Sequence, residues 1–507
     1  MNNESLSGKR VLVMGLGRFG GGVDVVEFAA GAGARVIVTD LATAQQLSGS
    51  IDQLQELGGV EFHLGSHDPA DFEQADIIVA NPAVPGDNEF LERARRAGKF
   101  VTSQISIFFE LCPARIIGIT GANGKSTTTA LTAYLLENAR NEEVAANEPS
   151  ALSVVEGGAK QSQTTPSAIR NPQYENVWLS GNIGNQPLLM ALDRIGADDL
   201  VVLELSSFQI EQLAQIQKAP RVALLTNLTP NHLDRYGTFA CYCAAKEDMF
   251  KFQEPDGSSP AVSIFNAEDE IGVEWFEKYK KDTGRVCVKF SADDVSEEIR
   301  SVFRLPGRAN LSNLAAAMAI VRHFGIDDGK IKKALPAFKA LPHRLELIAE
   351  IAGVRWYNDS KATTPQSAIT ALEAFDQPII LIAGGYDKHL PFDEFGRKIA
   401  EKAKAAILIG TTAPKIAEAI KGLKTIRAQE HKRIRTVPRA TKVEVVNSLA
   451  DAVQLANRLA ESGDVVLLSP ACASYGMFEN YEHRGREFAK LAQTLDAQSI
   501  GSRTQSA

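Results

Sequence analysis

Along the chain, short runs of Val, Ile and Leu bounded by turn residues alternate with longer stretches in which apolar residues recur every three or four positions. The short runs are too uniformly apolar for half-exposed strands, so they predict strands buried on both faces; the longer stretches predict amphipathic helices. Strands are predicted to begin at Val11, Val36, Ile77, Ile116, Leu200, Val222, Ala261 and Val286, and a later set at Val354, Ile379, Ala406 and Val465. Regular strand–helix alternation is the pattern of parallel α/β domains. At 507 residues the chain exceeds what one hydrophobic core supports. The expected fold class is α/β in three domains: a Rossmann-like N-terminal domain over residues 1–104, a central P-loop ATPase-type domain over 105–340 and a Rossmann-like C-terminal domain over 341–507. Residues 141–176 break the rhythm; polar and rich in Glu, Gln, Ser, Thr and Pro, they read as an inserted surface loop. The tail from Gln498 is expected to lack structure.

Composition narrows the function. A net charge of −8 argues against a nucleic-acid partner, whose footprint is a basic excess. Small anionic substrates remain compatible, because local Lys and Arg can build a positive pocket. The five cysteines (Cys112, Cys241, Cys243, Cys287, Cys472) are odd in number and scattered, which disfavours zinc or disulfide frameworks and fits a reducing compartment. No run approaches the ~18 apolar residues of a membrane span, and the apolar run 11–14 is too short for a signal-peptide core. A cytoplasmic monomer without membrane partners is expected.

The segment Ile116-Ile-Gly-Ile-Thr-Gly-Ala-Asn-Gly-Lys-Ser-Thr127 sets a hydrophobic strand directly before a glycine-rich turn, with a helix predicted over 126–137. Chemically this is an anion cradle: glycines let backbone N–H groups turn inward, and the helix N-terminus adds positive potential. Gly121, Asn123, Gly124, Lys125, Ser126 and Thr127 are the expected ATP-phosphate residues. Lys125 can reach the β- and γ-phosphates and the Ser126 hydroxyl can ligate Mg²⁺. Ile119 stands where the general pattern has its first glycine. A glycine turn with an exposed lysine is the competing explanation, and strand, turn and helix in this order disfavour it.

Such a loop needs a carboxylate near the metal, and Glu204 stands at the end of the apolar run Val201-Val-Leu-Glu. A charge there is expensive unless paired or metal-bound, so a structural ion pair competes with a metal ligand. The next strand runs into Asn231-His-Leu-Asp-Arg-Tyr, where His232, Asp234 and Arg235 crowd a strand's C-terminal end, the usual ligand side of α/β sheets.

These residues resemble the Mur ligase family, which also includes the folylpolyglutamate synthases. The resemblance rests on Thr120-Gly-Ala-Asn-Gly-Lys-Ser, Gly181-Asn-Ile-Gly, Glu204-Leu-Ser-Ser-Phe-Gln, Asn231-His-Leu-Asp-Arg-Tyr and Ala244-Ala-Lys. It continues through His343-Arg-Leu-Glu, Asn358-Asp-Ser-Lys-Ala-Thr, Gly384-Gly-Tyr-Asp-Lys, Ser469-Pro-Ala-Cys-Ala-Ser and Tyr481-Glu-His-Arg-Gly. It implies an ATP- and Mg²⁺-dependent amide ligase that adds D-glutamate to UDP-N-acetylmuramoyl-L-alanine through an acyl phosphate, in peptidoglycan precursor synthesis. By this resemblance Lys125, His232 and Lys246 are catalytic, and Ser126, Glu204, His232 and Lys246 surround magnesium, Lys246 as a carbamate. A carbamate turns an ammonium that would repel the metal into an anion that supports it. Asn310, Arg344 and Asp359 would contact ATP, and Asn182 the muramoyl substrate. Lys361, Thr363, Lys388, Ser474 and Tyr481 would bind D-glutamate. Three positions depart from the family pattern: Asn231 where Asp is common, Ala309 in place of His, and Tyr481 where Phe is frequent.

The N-terminal Val11-Leu-Val-Met-Gly-Leu-Gly-Arg-Phe-Gly, followed by Asp40 after the second strand, is a full GxGxxG fingerprint. Alone it would indicate an NAD(P)-dependent oxidoreductase. A UDP-sugar also carries a pyrophosphate, and the family uses this domain for the uridine nucleotide, which makes Gly15, Gly17, Arg18, Phe19, Asp40 and Asn182 the expected acceptor-binding residues. An oxidoreductase would leave the phosphate loop, Glu204 and His232 unexplained. A P-loop switch would leave Lys388 and Ser474 unused, and the folate branch lacks the glycine fingerprint.

Overall fold

The computed structural model describes residues 6–18, 20–140, 174–181, 183, 187–255, 260–430 and 441–503, with side chains of 422–430 and 496–503 omitted. Three sheets account for the strands. The first comprises β1 (Arg10–Met14), β2 (Arg35–Asp40), β3 (Val60–Leu64), β4 (Ile77–Ala80) and β5 (Phe100–Thr102). Their order is β3-β2-β1-β4-β5, every pair parallel. The second comprises β6 (Arg115–Thr120), β7 (Val177–Gly181), β8 (Leu200–Glu204), β9 (Val222–Leu225), β10 (Ala261–Asn266) and β11 (Arg285–Phe290). It too is parallel, in the order β11-β10-β9-β6-β8-β7. The third comprises β12 (Glu346–Ile351), β13 (Val354–Asn358), β14 (Ile379–Gly384), β15 (Ala403–Ile409), β16 (Lys442–Val445) and β17 (Val465–Leu468). Its order is β12-β13-β17-β14-β15-β16, with β12 antiparallel to β13 and the rest parallel.

The interior strands are those whose apolar runs are continuous. Every residue of β6 from Ile116 on, of β8, β9, β10 and β14 is buried, and fully burying a Val, Leu or Ile contributes roughly 1.5–3 kcal/mol each. Helices cover both faces of such sheets, so both faces must be apolar.

The chain divides into two compact units: residues 1–302 with 312–337, and 303–311 with 338–507. The first holds two sheets on a continuous core that runs from Val13 and Ile105 to Leu188 and Leu203. A buried carboxylate reinforces the join. Asp24, on the helix Gly21–Gly31, accepts the backbone N–H groups of Leu188, Leu189 and Met190 at 3.0, 2.8 and 3.0 Å, and the Gln104 amide as well. Three amides on one carboxylate satisfy donors that would otherwise be stranded in the core.

The last helix runs Tyr481–Arg503, so the tail expected to lack structure from Gln498 is helical as far as Arg503, because the helix started at Tyr481 simply continues. Of the expected insertion, residues 141–173 lie outside the described residues; at its far end Tyr174 is buried, with its hydroxyl donating to Leu136 O at 2.7 Å. All five cysteines are free thiols. Among the described residues no helix is long and apolar enough to cross a membrane.

Candidate active site

The phosphate loop springs from β6, whose last residue, Thr120, is fully buried. Gly121 has φ 144° and a Cβ there would meet Thr226 Oγ1 at 2.0 Å; Gly124 has φ 81° and a Cβ would meet Asn313 Oδ1 at 2.1 Å. Both positions therefore need glycine for space, and Gly124 also for its left-handed backbone. The end of the neighbouring strand β9 shapes the turn. Ala122 N donates to Asn227 O (2.8 Å), Asn123 N to Asn227 Oδ1 (3.0 Å), and Thr226 Oγ1 to Asn123 O (2.6 Å). Gly124 then caps the helix Lys125–Asn138, one residue longer at each end than expected. Ser126 and Thr127 are buried in its first turn, and Lys125 Nζ folds back to donate to Ala122 O at 2.9 Å. A glycine-shaped turn at a helix N-terminus, with a lysine beside it, is the physical form of an anion cradle.

Three ionisable groups surround this loop. Glu204 ends β8, in register beside Ile119 of β6 and opposite Gly181 of β7, and is buried. Lys246 lies on the helix Phe239–Lys251, 1% exposed, and its Nζ donates to Thr120 Oγ1 at 3.0 Å. Burial, then the positive charge of Lys125, pushes its amine well below the usual lysine range, while Glu204 opposes the shift. His232 takes a left-handed backbone (φ 52°) where it caps the short helix Leu233–Tyr236. Desolvation, followed by the charge of Lys246, lowers its pKa, and Lys125 and Arg235 add to this against Asp234. The imidazole is thus kept neutral and able to ligate. Asn231, where the family pattern has Asp, accepts His232 N through its Oδ1 at 2.9 Å.

The donor set bears on magnesium. Among the described residues no group of three or more His, Cys, Asp or Glu side chains could hold a metal ion. Mg²⁺ is seldom held in an all-protein cage; it takes one or two carboxylates and completes its shell with phosphate oxygens and water. Glu204, the Ser126 hydroxyl, His232 and a carbamylated Lys246 fit that pattern. An unmodified Lys246 beside Lys125 does not, since two ammonium groups repel a cation.

At the N-terminal glycine turn, Gly15, Gly17 and Gly20 have φ of 90°, 66° and 82°. A Cβ on Gly15 would come within 2.8 Å of Asn81 Cβ. Asp40, expected on the substrate, accepts Gly17 N at 3.2 Å and Ala42 N at 2.8 Å, so it also shapes the turn. Arg18 is exposed beside it. The turn sits where β1 separates β2 from β4, the switch point at which open α/β sheets bind ligands. The expected residues Phe19 and Asn182 lie outside the described residues.

The remaining expected residues belong to the second compact unit, all but Asn310 in segments that flank β13, β14 and β17. Asp359 is buried, accepting Ser469 Oγ at 2.8 Å and Leu345 N at 3.3 Å, and burial pushes its pKa up to about 7. Arg344 is half-buried nearby in sequence, and its charge opposes that rise. Lys361 Nζ stands 5.3 Å from the centre of the Tyr481 ring, a cation–π contact. Thr363 is half-buried, Ser474 buried and Lys388 exposed. A bridge between Tyr386 and Ala473 (N to O, 2.9 Å) ties the Lys388 loop to the Ser474 loop. Asn310 turns its amide to Pro306 O at 2.8 Å.

Sequence reasoning gave no role to Arg484, although it lies in the quoted Tyr481-Glu-His-Arg-Gly segment. It is fully buried and donates to Ser360 Oγ (3.0 Å), Ser360 O (2.8 Å) and Cys472 O (3.0 Å), locking two of these loops. Thr120, Thr226 and Asn227 were likewise passed over; their position at strand ends beside the loop was the available signal.

Family descriptions match in three places. Residues 9–103 match the Mur ligase MurD-like N-terminal domain, 119–303 the Mur ligase middle domain and 343–472 the Mur ligase glutamate ligase domain. The chain is 36% identical to a Roseiflexus sp. (strain RS-1) protein named UDP-N-acetylmuramoylalanine–D-glutamate ligase, over 97% of this chain and 99% of that one. It is 35% identical to a Koribacter versatilis (strain Ellin345) protein of the same name, over 97% and 98%. In fold it is similar to MurF from Acinetobacter baumannii, with a TM-score of 0.51 at 14% identity, covering 97% of this chain and 92% of that one. These matches leave the oxidoreductase alternative without support. With three domain matches in chain order and relatives at 35–36% identity along nearly its whole length, the chain belongs to the Mur ligase family.

Proposed function

We propose that this Mur ligase joins D-glutamate to UDP-N-acetylmuramoyl-L-alanine, converting ATP to ADP and phosphate, as a step of peptidoglycan precursor synthesis. The observation that supports this reading most directly is the buried Lys246 amine bonded to Thr120 at the root of the phosphate loop, with Glu204 on the adjacent strand. A switch or motor has no need of a desolvated amine there; a ligase that supports metal-bound phosphates with a carbamate does.

In this reading the loop amides and Lys125 hold the β- and γ-phosphates. The γ-phosphoryl group passes to the alanine carboxylate of the acceptor, giving an acyl phosphate and ADP. The D-glutamate amine then attacks the acyl carbon, forming the amide and releasing phosphate. Ser126, Glu204, His232 and a carbamylated Lys246 would hold magnesium, which would supply charge neutralisation to the transferring phosphoryl group. Gly15, Gly17, Arg18, Phe19, Asp40 and Asn182 seat the UDP-linked acceptor. Asn310, Arg344 and Asp359 add contacts to ATP. Lys361, Thr363, Lys388, Ser474 and Tyr481 hold the carboxylates of the amino acid, cations and hydroxyls being suited to a dianion. Orientation of the reactants contributes on the order of 7–11 kcal/mol at its upper range.

Phosphate release by the purified protein with ATP, Mg²⁺ and UDP-N-acetylmuramoyl-L-alanine tests the reading, with D-glutamate, L-glutamate or neither added. Release that requires D-glutamate is expected. Equal release in all three arms would overturn the choice of amino acid and leave only an ATPase.

A further inference from the structure

We infer that Arg235 is a positioning residue that fixes His232 by fastening the segment bearing it to two other parts of the first compact unit. The inference rests on the reading of His232 as a metal-facing group.

His232 is poorly held by its own backbone. It is exposed and left-handed, at the start of a helix only four residues long. A non-glycine residue in that conformation costs on the order of 1–3 kcal/mol and persists only where its surroundings over-determine it. The His232 ring packs at 5.0 Å on Phe208 of the helix Ser207–Gln215. The Arg235 guanidinium lies 4.2 Å from the centre of the same ring. Its Nη2 pairs with Glu211 Oε2 at 3.0 Å, one turn further along that helix. Its Nη1 donates to Ala83 O at 3.1 Å and Pro82 O at 3.5 Å, in the loop that follows β4 of the N-terminal sheet.

One planar cation therefore joins three segments: the His232 turn, the helix after Glu204 and the loop leaving β4. Lysine offers a point charge without the fork or the stacking surface. Arg235, Phe208 and Glu211 line a cavity of about 750 Å³ together with Arg95, Lys99 and Thr102, so the side of the guanidinium that faces it has no dense packing against it. The guanidinium is held by directed bonds rather than by a dense core.

The test is kinetic, on the full chain. Arg235→Gln and Arg235→Lys are expected to raise the Mg²⁺ concentration for half-maximal activity and the KM for the UDP-linked acceptor by about 10- to 100-fold, the range for groups that orient a metal ligand. The KM for D-glutamate should stay within about two-fold, since those residues lie in the other unit. A lowered melting temperature with unchanged Mg²⁺ requirement and acceptor KM would mark a merely structural arginine and overturn the inference. His232→Ala runs alongside. If that variant keeps full activity, the reading of His232 fails and the inference with it. If it is crippled while Arg235→Gln keeps its Mg²⁺ requirement, the inference alone fails. Should Arg235→Gln not fold, Arg235→Lys decides by the same measures.

Discussion

Lys246 Nζ donates to Thr120 Oγ1 across 3.0 Å, so a desolvated amine is bonded to the residue from which the phosphate loop departs. Its lowered pKa leaves more neutral amine near neutral pH than an ordinary lysine has, and only the neutral amine takes up CO₂. Lys246→Ala is expected to lose on the order of 100-fold or more in turnover, comparable to loss of an electrostatic stabiliser. Short carboxylic acids should restore part of it by standing in for the carbamate. Phosphate-release assays with and without added carboxylate check this, and an unaffected variant would remove the carbamate.

Gly124→Ala places a methyl group 2.1 Å from Asn313 Oδ1 at a left-handed position. The strain, roughly 1–3 kcal/mol, is relieved by moving the loop, and a displacement of about 1 Å costs on the order of 100-fold in rate. Phosphate release should fall by about that factor while the melting temperature drops only a few degrees. Removing the Asn313 side chain as well should relieve the contact but not the backbone strain, so the double variant recovers only in part.

Lys388 is exposed on the loop tied to Ser474. Lys388→Ala removes one charge-assisted bond, worth about 1.5–3 kcal/mol, so the KM for D-glutamate should rise about 10- to 100-fold with the KM for ATP unchanged. Steady-state kinetics varying one substrate at a time checks both.

Asp359 titrates in the folded protein at about 7, against an ordinary 3.8, because burial disfavours its charged form. A raised folded pKa means the folded state holds the proton more tightly. The resulting stability is full below about pH 4 and is lost as pH rises through about 7, at on the order of 1 kcal/mol per pH unit. Asp359→Asn removes this slope. Urea midpoints between pH 5 and pH 8 should therefore move in favour of the variant as pH rises; parallel curves would contradict the assignment.

Much of the fold was legible in the pattern of apolar residues, and the exceptions share one cause. All twelve predicted strand starts fall on strands, and the strands missed are β3, β5, β7, β12 and β16. Each of these lies at the edge of its sheet. An edge strand meets solvent on one side, so its apolar run is broken, as in Val60-Glu-Phe-His-Leu, or shortened, as in the three residues of β5. β12 is also antiparallel, which strand–helix alternation cannot reveal. At the candidate site, Lys125 and Ser126 are legible because phosphate chemistry imposes a local spacing, and Glu204 because a charge ends an otherwise apolar run. Lys246 was reached only through the family resemblance, since burial of one lysine on a helix depends on what packs against it. Asp24 and Arg484 act on residues more than 100 positions away, and no local pattern announces that.

The bonds of Arg484 also bear on how the protein is made. Its guanidinium closes over Ser360 and Cys472, and it leaves the ribosome 124 residues after Ser360. At about 5–20 residues per second, the Ser360 loop waits roughly 6–25 s for the side chain that satisfies its buried carbonyl. Burial also weakens the arginine's hold on its proton, to about 10, a shift that the charge of Asp359 opposes and that leaves the guanidinium charged near neutral pH. In a growing chain every residue of the phosphate loop is therefore made before the bonds that lock the Ser360 and Cys472 loops can form.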